Sequence, residues 1–140
     1  MQTTSEILDR IVALLASDSR VGAIYLFGSV AHEVAGEQSD IDFALLSRSL
    51  QNPLKFDDII QFRTKVAMEF PELRFDLVLV DQCPPMLQCE ILKHEPIFCV
   101  NKDWEALEKS RFLRIAWDAL ALARPHEQAL LHSLKGEGKK

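Results

Sequence analysis

A Gly28-Ser29 pair stands ten residues ahead of an Asp40-Ile41-Asp42 triplet, in the run GSVAHEVAGEQSDID, and this spacing constrains the chain more than any other feature. Gly28 closes an apolar stretch, Val21 to Phe27, that reads as a buried strand, so the Gly-Ser pair falls where a chain turns off a sheet. A turn there offers backbone N–H groups and the Ser29 hydroxyl to an anion, and the residues after it can open a helix whose N-terminus favours negative charge. Asp40 and Asp42 are two apart in a segment of strand character, DIDFALLS, and a period of two puts both carboxylates on one face. One half of the motif suits phosphate, the other a divalent cation.

Each half alone is weak, because a Gly-Ser pair is commonly only a turn and Asp-x-Asp is common in surface loops. Here the second aspartate opens a strand that continues Phe43-Ala44-Leu45-Leu46, where buried charge is costly without a partner. A third acid sits in a similar place. In RFDLVLV, Arg74 to Val80, Asp76 interrupts an apolar strand and shares a face with Val78 and Val80, opposite Phe75, Leu77 and Leu79. If that strand lies beside the one carrying Asp40 and Asp42, three carboxylates converge as oxygen ligands for Mg²⁺ shared with substrate phosphates. The structural alternative is a salt bridge from Asp76 to Arg74 or Arg63.

The surrounding pattern predicts alternating helices and strands. Thr4 or Ser5 can cap a helix with an apolar stripe of Leu8, Ile11, Val12 and Leu15, ending near Ser17 to Ser19. Asn52 and Pro53 read as the start of a second helix, with Phe56, Ile59, Ile60, Val66, Ala67 and Phe70 toward a core and Pro71 as its stop. Pro84 and Pro85 open a short helix, and Pro96 precedes an edge strand from Ile97 to Val100. The expected architecture is an α/β sandwich, a small mixed β-sheet flanked by helices, with the motif at one sheet edge.

The segment from Asp103 to Arg124 carries Trp104, Leu107, Phe112, Leu113, Ile115, Trp117, Leu120 and Leu122, more than one amphipathic stripe. It is either a fully buried C-terminal helix or a helix with one side on its own sheet and the other on a second protein. The expected organisation is a single domain, with a core over 1–100, a helical extension over 101–135 and a tail over 136–140.

Composition excludes several classes. The net charge of −5, from 16 Lys plus Arg against 21 Asp plus Glu, argues against direct nucleic-acid binding through a basic footprint. No apolar run approaches the roughly 20 residues that span a bilayer, and the polar start MQTTSEILDR is no signal peptide, so a cytoplasmic protein without membrane contact is expected. Cys83, Cys89 and Cys99 form no C-x-x-C pair, and His32, His94, His126 and His132 lack zinc spacing to them, so no zinc site is inferred.

Gly28-Ser29-x10-Asp40-x-Asp42 followed by a strand bearing Asp76 resembles the minimal nucleotidyltransferases (MNT) of the DNA polymerase β superfamily. The likeness spans about residues 5 to 100. Many such proteins are antitoxins paired with HEPN-domain ribonucleases, so the resemblance implies Mg²⁺-dependent transfer of AMP from ATP to a tyrosine hydroxyl of such a toxin. It makes Asp40, Asp42 and Asp76 the catalytic and metal-holding residues, with two Mg²⁺ ions, and Gly28, Ser29 and Ser39 the nucleotide-binding ones. The chain departs from the family pattern at Val30, His32 and Glu33, where Arg and an Arg-Gly pair are common, so triphosphate contacts there are expected to be weaker or supplied differently. Two other functions fit the same residues less well: an antitoxin that masks its toxin by binding alone, and a transferase for small molecules such as aminoglycosides.

Overall fold

In the computed structural model, residues 3–28 and 40–122 are described. Ser29, Ser39, Val30, His32, Glu33, His126, His132 and the tail over 136–140 lie outside them. The elements run α1 (Thr4–Ala16), β1 (Val21–Phe27), β2 (Ile41–Ser47), α2 (Phe56–Glu69), β3 (Phe75–Leu79), a 3-10 turn (Val80–Gln82), α3 (Pro85–Leu92), β4 (Phe98–Cys99) and α4 (Lys102–Ala121).

The strands form one mixed sheet in the order β3-β2-β1-β4. β1 pairs antiparallel with β2 and with β4, while β2 and β3 run parallel. A parallel pair needs a crossover, and α2 supplies it.

Strand alternation divides the core between the two faces of the sheet. Ile24, Phe43, Leu45, Leu77 and Leu79 pack on one side against Ile11 and Leu15 of α1 and Ile59, Phe62 and Val66 of α2. Ala23, Tyr25, Ala44 and Leu46 pack on the other against Ile91 and Leu92 of α3 and Phe112 of α4. Each large aliphatic side chain removed from water in this way contributes about 1.5–3 kcal/mol before entropy is counted.

Several local expectations need correction. The α1 cap is Thr3, whose Oγ1 accepts the Glu6 N–H at 3.1 Å, one residue ahead of the expected pair. α2 starts at Phe56 rather than at Asn52-Pro53, because Asp58 reaches back to accept the Lys55 N–H at 2.8 Å and fixes the first turn there. The face of α2 also differs. Ile59, Phe62, Val66 and Phe70 are buried, whereas Phe56 is 64% exposed, Ile60 47% exposed and Ala67 on the solvent side. Spacings of three and four between the buried residues define a stripe that Phe56, Ile60 and Ala67 fall outside.

α4 is held to the sheet by polar contacts as well as packing. Tyr25 of β1 is fully buried and donates its hydroxyl hydrogen to Glu105 Oε2 at 2.5 Å. Lys109 Nζ lies 3.2 Å from the same oxygen and donates to the His94 carbonyl at 3.1 Å. Glu105 is thus a buried carboxyl group that is paired and hydrogen-bonded, the condition under which burial is tolerated. Gly22 lets the helix approach, since a Cβ added there would collide with the Trp104 ring and stand 2.9 Å from the Arg48 Cα. The outward side of α4 leaves Leu107 and Ile115, and its C-cap residue Leu122, at 73%, 52% and 90% exposure. This helix is thus neither fully buried nor simply amphipathic. No helix among the described residues is long and apolar enough to cross a membrane.

Candidate active site

The motif gathers at one end of the sheet, where β1 finishes and β2 and β3 begin. That position corrects the expectation of a sheet edge. β1 and β2 are the two interior strands, and only Asp76 lies on an outer one. Sequence identifies strands, but lateral order depends on which of them pair, and the antiparallel addition of β4 outside β1 makes the motif strands central.

Gly28 follows the last residue of β1 with φ +77°, the left-handed region that side chains rarely adopt. A Cβ at this position would stand 2.6 Å from Asp42 Oδ2. The glycine thus serves both the turn and the close approach of its backbone to the carboxylate. Phe27 is the register partner of Asp42 across the antiparallel ladder, which fixes that approach.

Asp42 and Asp76 are register partners across the parallel ladder of β2 and β3. Both lie on the face opposite to Phe43 and Leu77, and adjacent strands are about 4.8 Å apart, so two acids stand side by side at the sheet end. Asp40 immediately precedes β2 and lies 3.2 Å from Arg74 Nε in an exposed pair. Asp76 pairs with Arg63 Nη2 at 2.5 Å, the bridge raised as the structural alternative for this residue. The described residues hold no group of three or more His, Cys, Asp or Glu side chains gathered to bind a metal ion. The structure brings Gly28, Asp42 and Asp76 together, and turns Asp40 toward Arg74.

Burial raises the Asp42 carboxyl above the ordinary carboxylate range, and the charges of Asp76 and Asp40 add to the rise. A half-buried acid destabilised by two neighbouring acids is a place where a cation is favourable. Mg²⁺ is commonly held by one or two carboxylates and completed by water and substrate phosphates. Asp42 and Asp76 beside Gly28 fit that chemistry, with an anion such as a triphosphate supplying the remaining oxygens. Sequence reasoning did not foresee the Arg74 contact with Asp40. Charge reversal two residues before Asp76 was the available signal.

The family model of polymerase beta nucleotidyltransferases matches residues 9–103. No curated protein sequence matches the chain significantly. Among solved structures, the fold is similar to a chain of a toxin–antitoxin crystallised with AMP-PNP, with a TM-score of 0.68 and 18% identity over 95% of this chain and 99% of that one. It is similar to a chain of the MntA–HpeT toxin–antitoxin, at TM-score 0.67 and 19% identity over 91% of this chain and 97% of that one. A third similarity is to the complex of tri-AMPylated Shewanella oneidensis HEPN toxin with MNT antitoxin, at TM-score 0.63 and 18% identity over 95% of this chain and 99% of that one. At these identities the likeness is one of fold.

Proposed function

The chain belongs to the polymerase β nucleotidyltransferase family, and we propose that it transfers AMP from ATP to a hydroxyl, a tyrosine's, of a partner HEPN-type ribonuclease toxin, which it thereby neutralises as antitoxin. The observation that carries this reading is the register pairing of Asp42 with Asp76 beside the positive-φ turn at Gly28. A backbone turn able to bind an anion and carboxylates able to bind a cation would meet there, as transfer from a nucleoside triphosphate requires. The fold shared with toxin–antitoxin chains supports the class of partner.

Asp40, Asp42 and Asp76 would hold Mg²⁺, which when bound neutralises phosphate charge and favours departure of pyrophosphate. Gly28, Ser29 and Ser39 would orient the triphosphate through backbone N–H groups and hydroxyls. Asp76 would face the incoming hydroxyl and accept its proton, help that a phenol with a pKa near 10 needs at neutral pH. The chain's single tyrosine, Tyr25, is fully buried with its hydroxyl engaged by Glu105, so a tyrosine acceptor must come from another chain. The setting is the cytoplasm, where ATP and a ribonuclease target coexist.

One observation favours a second reading, an antitoxin that masks its toxin by binding alone: the exposed Leu107, Ile115 and Leu122 on α4 offer a contact surface independent of the acids. Asp40→Ala, assayed for toxin binding and for protection of cells, separates the two. Loss of protection with binding intact supports catalysis, and protection retained by the variant supports masking.

A further inference from the structure

Arg63 leaves α2 and reaches Asp76 on β3, the outer strand. Its Nη2 donates to Asp76 Oδ1 at 2.5 Å and to the Leu77 carbonyl at 3.0 Å. The Leu77 amide donates to the same Oδ1 at 2.8 Å. One carboxylate oxygen of Asp76 therefore receives two donors, and the guanidinium is itself anchored on the strand backbone. Asp42, the register partner of Asp76, has no arginine against it among the described residues. The two neighbouring acids are thus unlike: a guanidinium and a backbone amide both engage Oδ1 of Asp76, and no such pair of donors meets Asp42 among the described residues.

We propose that Arg63 is a positioning residue for the transfer reaction, engaging Oδ1 of Asp76 so that this carboxylate presents the single oxygen Oδ2, in one orientation, to the reacting groups. The inference rests on the reading of the site as a nucleotidyl-transfer centre. A carboxylate free to rotate can chelate a cation through both oxygens, whereas a pinned one acts as a one-oxygen ligand or as a proton acceptor of fixed direction. Arg63 also places a positive charge beside the acids, which opposes cation binding. Loss of the guanidinium should therefore tighten cation binding and slow transfer together. A scaffold residue would not have that combined effect, since its loss weakens both.

The test compares wild type, Arg63→Gln and Arg63→Lys. Mn²⁺ binding to the nucleotide-free protein is followed by electron paramagnetic resonance, and AMP transfer to the co-purified partner is followed with α-labelled ATP. Arg63→Gln is expected to bind Mn²⁺ about tenfold more tightly at low salt, the size of one unit charge removed at about 6 Å from a divalent ion in a water-like medium. Its kcat is expected to fall roughly tenfold, the lower range for losing a group that orients a ligand, with KM for ATP within about twofold. Arg63→Lys retains the charge and should bind Mn²⁺ as wild type does, with kcat partly restored. Unchanged Mn²⁺ affinity and unchanged kcat in Arg63→Gln would overturn the proposal, as would a fall in kcat matched in both variants by loss of near-ultraviolet circular dichroism. Should the wild type transfer no AMP, the functional reading itself fails, whereas transfer by the wild type with both values unchanged in Arg63→Gln overturns the role of Arg63 alone.

Discussion

Gly28 and Asp42 occupy one another's space: a Cβ on the glycine would stand 2.6 Å from the Asp42 Oδ2 atom. Gly28→Ala therefore incurs two penalties, the left-handed backbone at φ +77° and a displaced carboxylate. The backbone alone costs about 1–2 kcal/mol of stability. Transfer activity is expected to fall more steeply than that figure implies, because the displaced group is the acid at the centre of the site. Urea unfolding alongside a transfer assay checks both parts.

Asp42→Asn should remove activity and stabilise the fold. The folded-state pKa of Asp42 is raised, first by burial and then by Asp76 and Asp40, so the native state holds this proton more tightly than the unfolded chain does. By linkage, stability from this group falls as pH rises from the unfolded carboxyl value, about 3.9, through the raised folded value. At neutral pH the ionised group opposes folding, and the neutral amide relieves it. A higher Tm for Asp42→Asn at pH 7 without added metal, with transfer lower by roughly 100-fold or more, is the expected result by thermal denaturation and radiolabel assay.

Acid should loosen the opposite end of α2. Arg20 bonds both Asp18 and Asp58, at 2.8 and 3.0 Å, and ties the α1–β1 connection to the first turn of α2. The Arg20 hydrogen bond lowers the Asp18 pKa, and the Lys55 backbone N–H, followed by Arg20, lowers that of Asp58. Depressed carboxylates contribute stability that is complete above their unfolded values and is lost as pH falls through the folded ones. A stability decline below about pH 4 that is shallower in Arg20→Gln than in wild type is expected from urea midpoints measured across pH.

These elements also show what was legible in the sequence. β1, β2 and β3 were readable because buried strands are written as apolar runs bounded by turns, and Asp42 and Asp76 stood out as acids inside them. The start of α2 was not, because its first turn is fixed by Asp58 acting backward on Lys55 rather than by a capping residue ahead of the helix. Its buried face was ambiguous, since apolar residues outnumber the positions one stripe can hold. The pairing of Asp76 with Arg63 was foreseeable as an option, but not the double use of Oδ1, which depends on backbone geometry at Leu77.

The Tyr25–Glu105 contact gave no sequence signal beyond a lone tyrosine in an apolar strand 80 residues from its partner. Its consequence is measurable. Burial first, and Glu105 second, push the Tyr25 phenol far above its ordinary value. As the only tyrosine in the chain, it should show no phenolate absorbance on alkaline titration until the protein unfolds. Tyr25→Phe leaves the buried Glu105 short of a donor and should cost about 1–3 kcal/mol in urea unfolding.

Exposed Ile115 on α4 separates partner binding from folding. Ile115→Asp sits on the solvent side of the helix and should change stability by no more than about 0.5 kcal/mol. If α4 contacts the partner, affinity should drop roughly tenfold or more, as for removal of an apolar contact at an interface centre. Surface plasmon resonance with the partner, paired with thermal denaturation, reads the two effects apart.

Nucleotidyl transfer to a protein is the reaction proposed for the acids beside Gly28. It is tested most directly by supplying Mg²⁺ and ATP labelled at the α-phosphate or at the γ-phosphate to the protein with its co-purified partner, with Asp42→Asn as control. Label from the α position alone, on a discrete protein band that is absent with Asp42→Asn, is the expected result. Label from the γ position, or α-labelling that persists in Asp42→Asn, would contradict it.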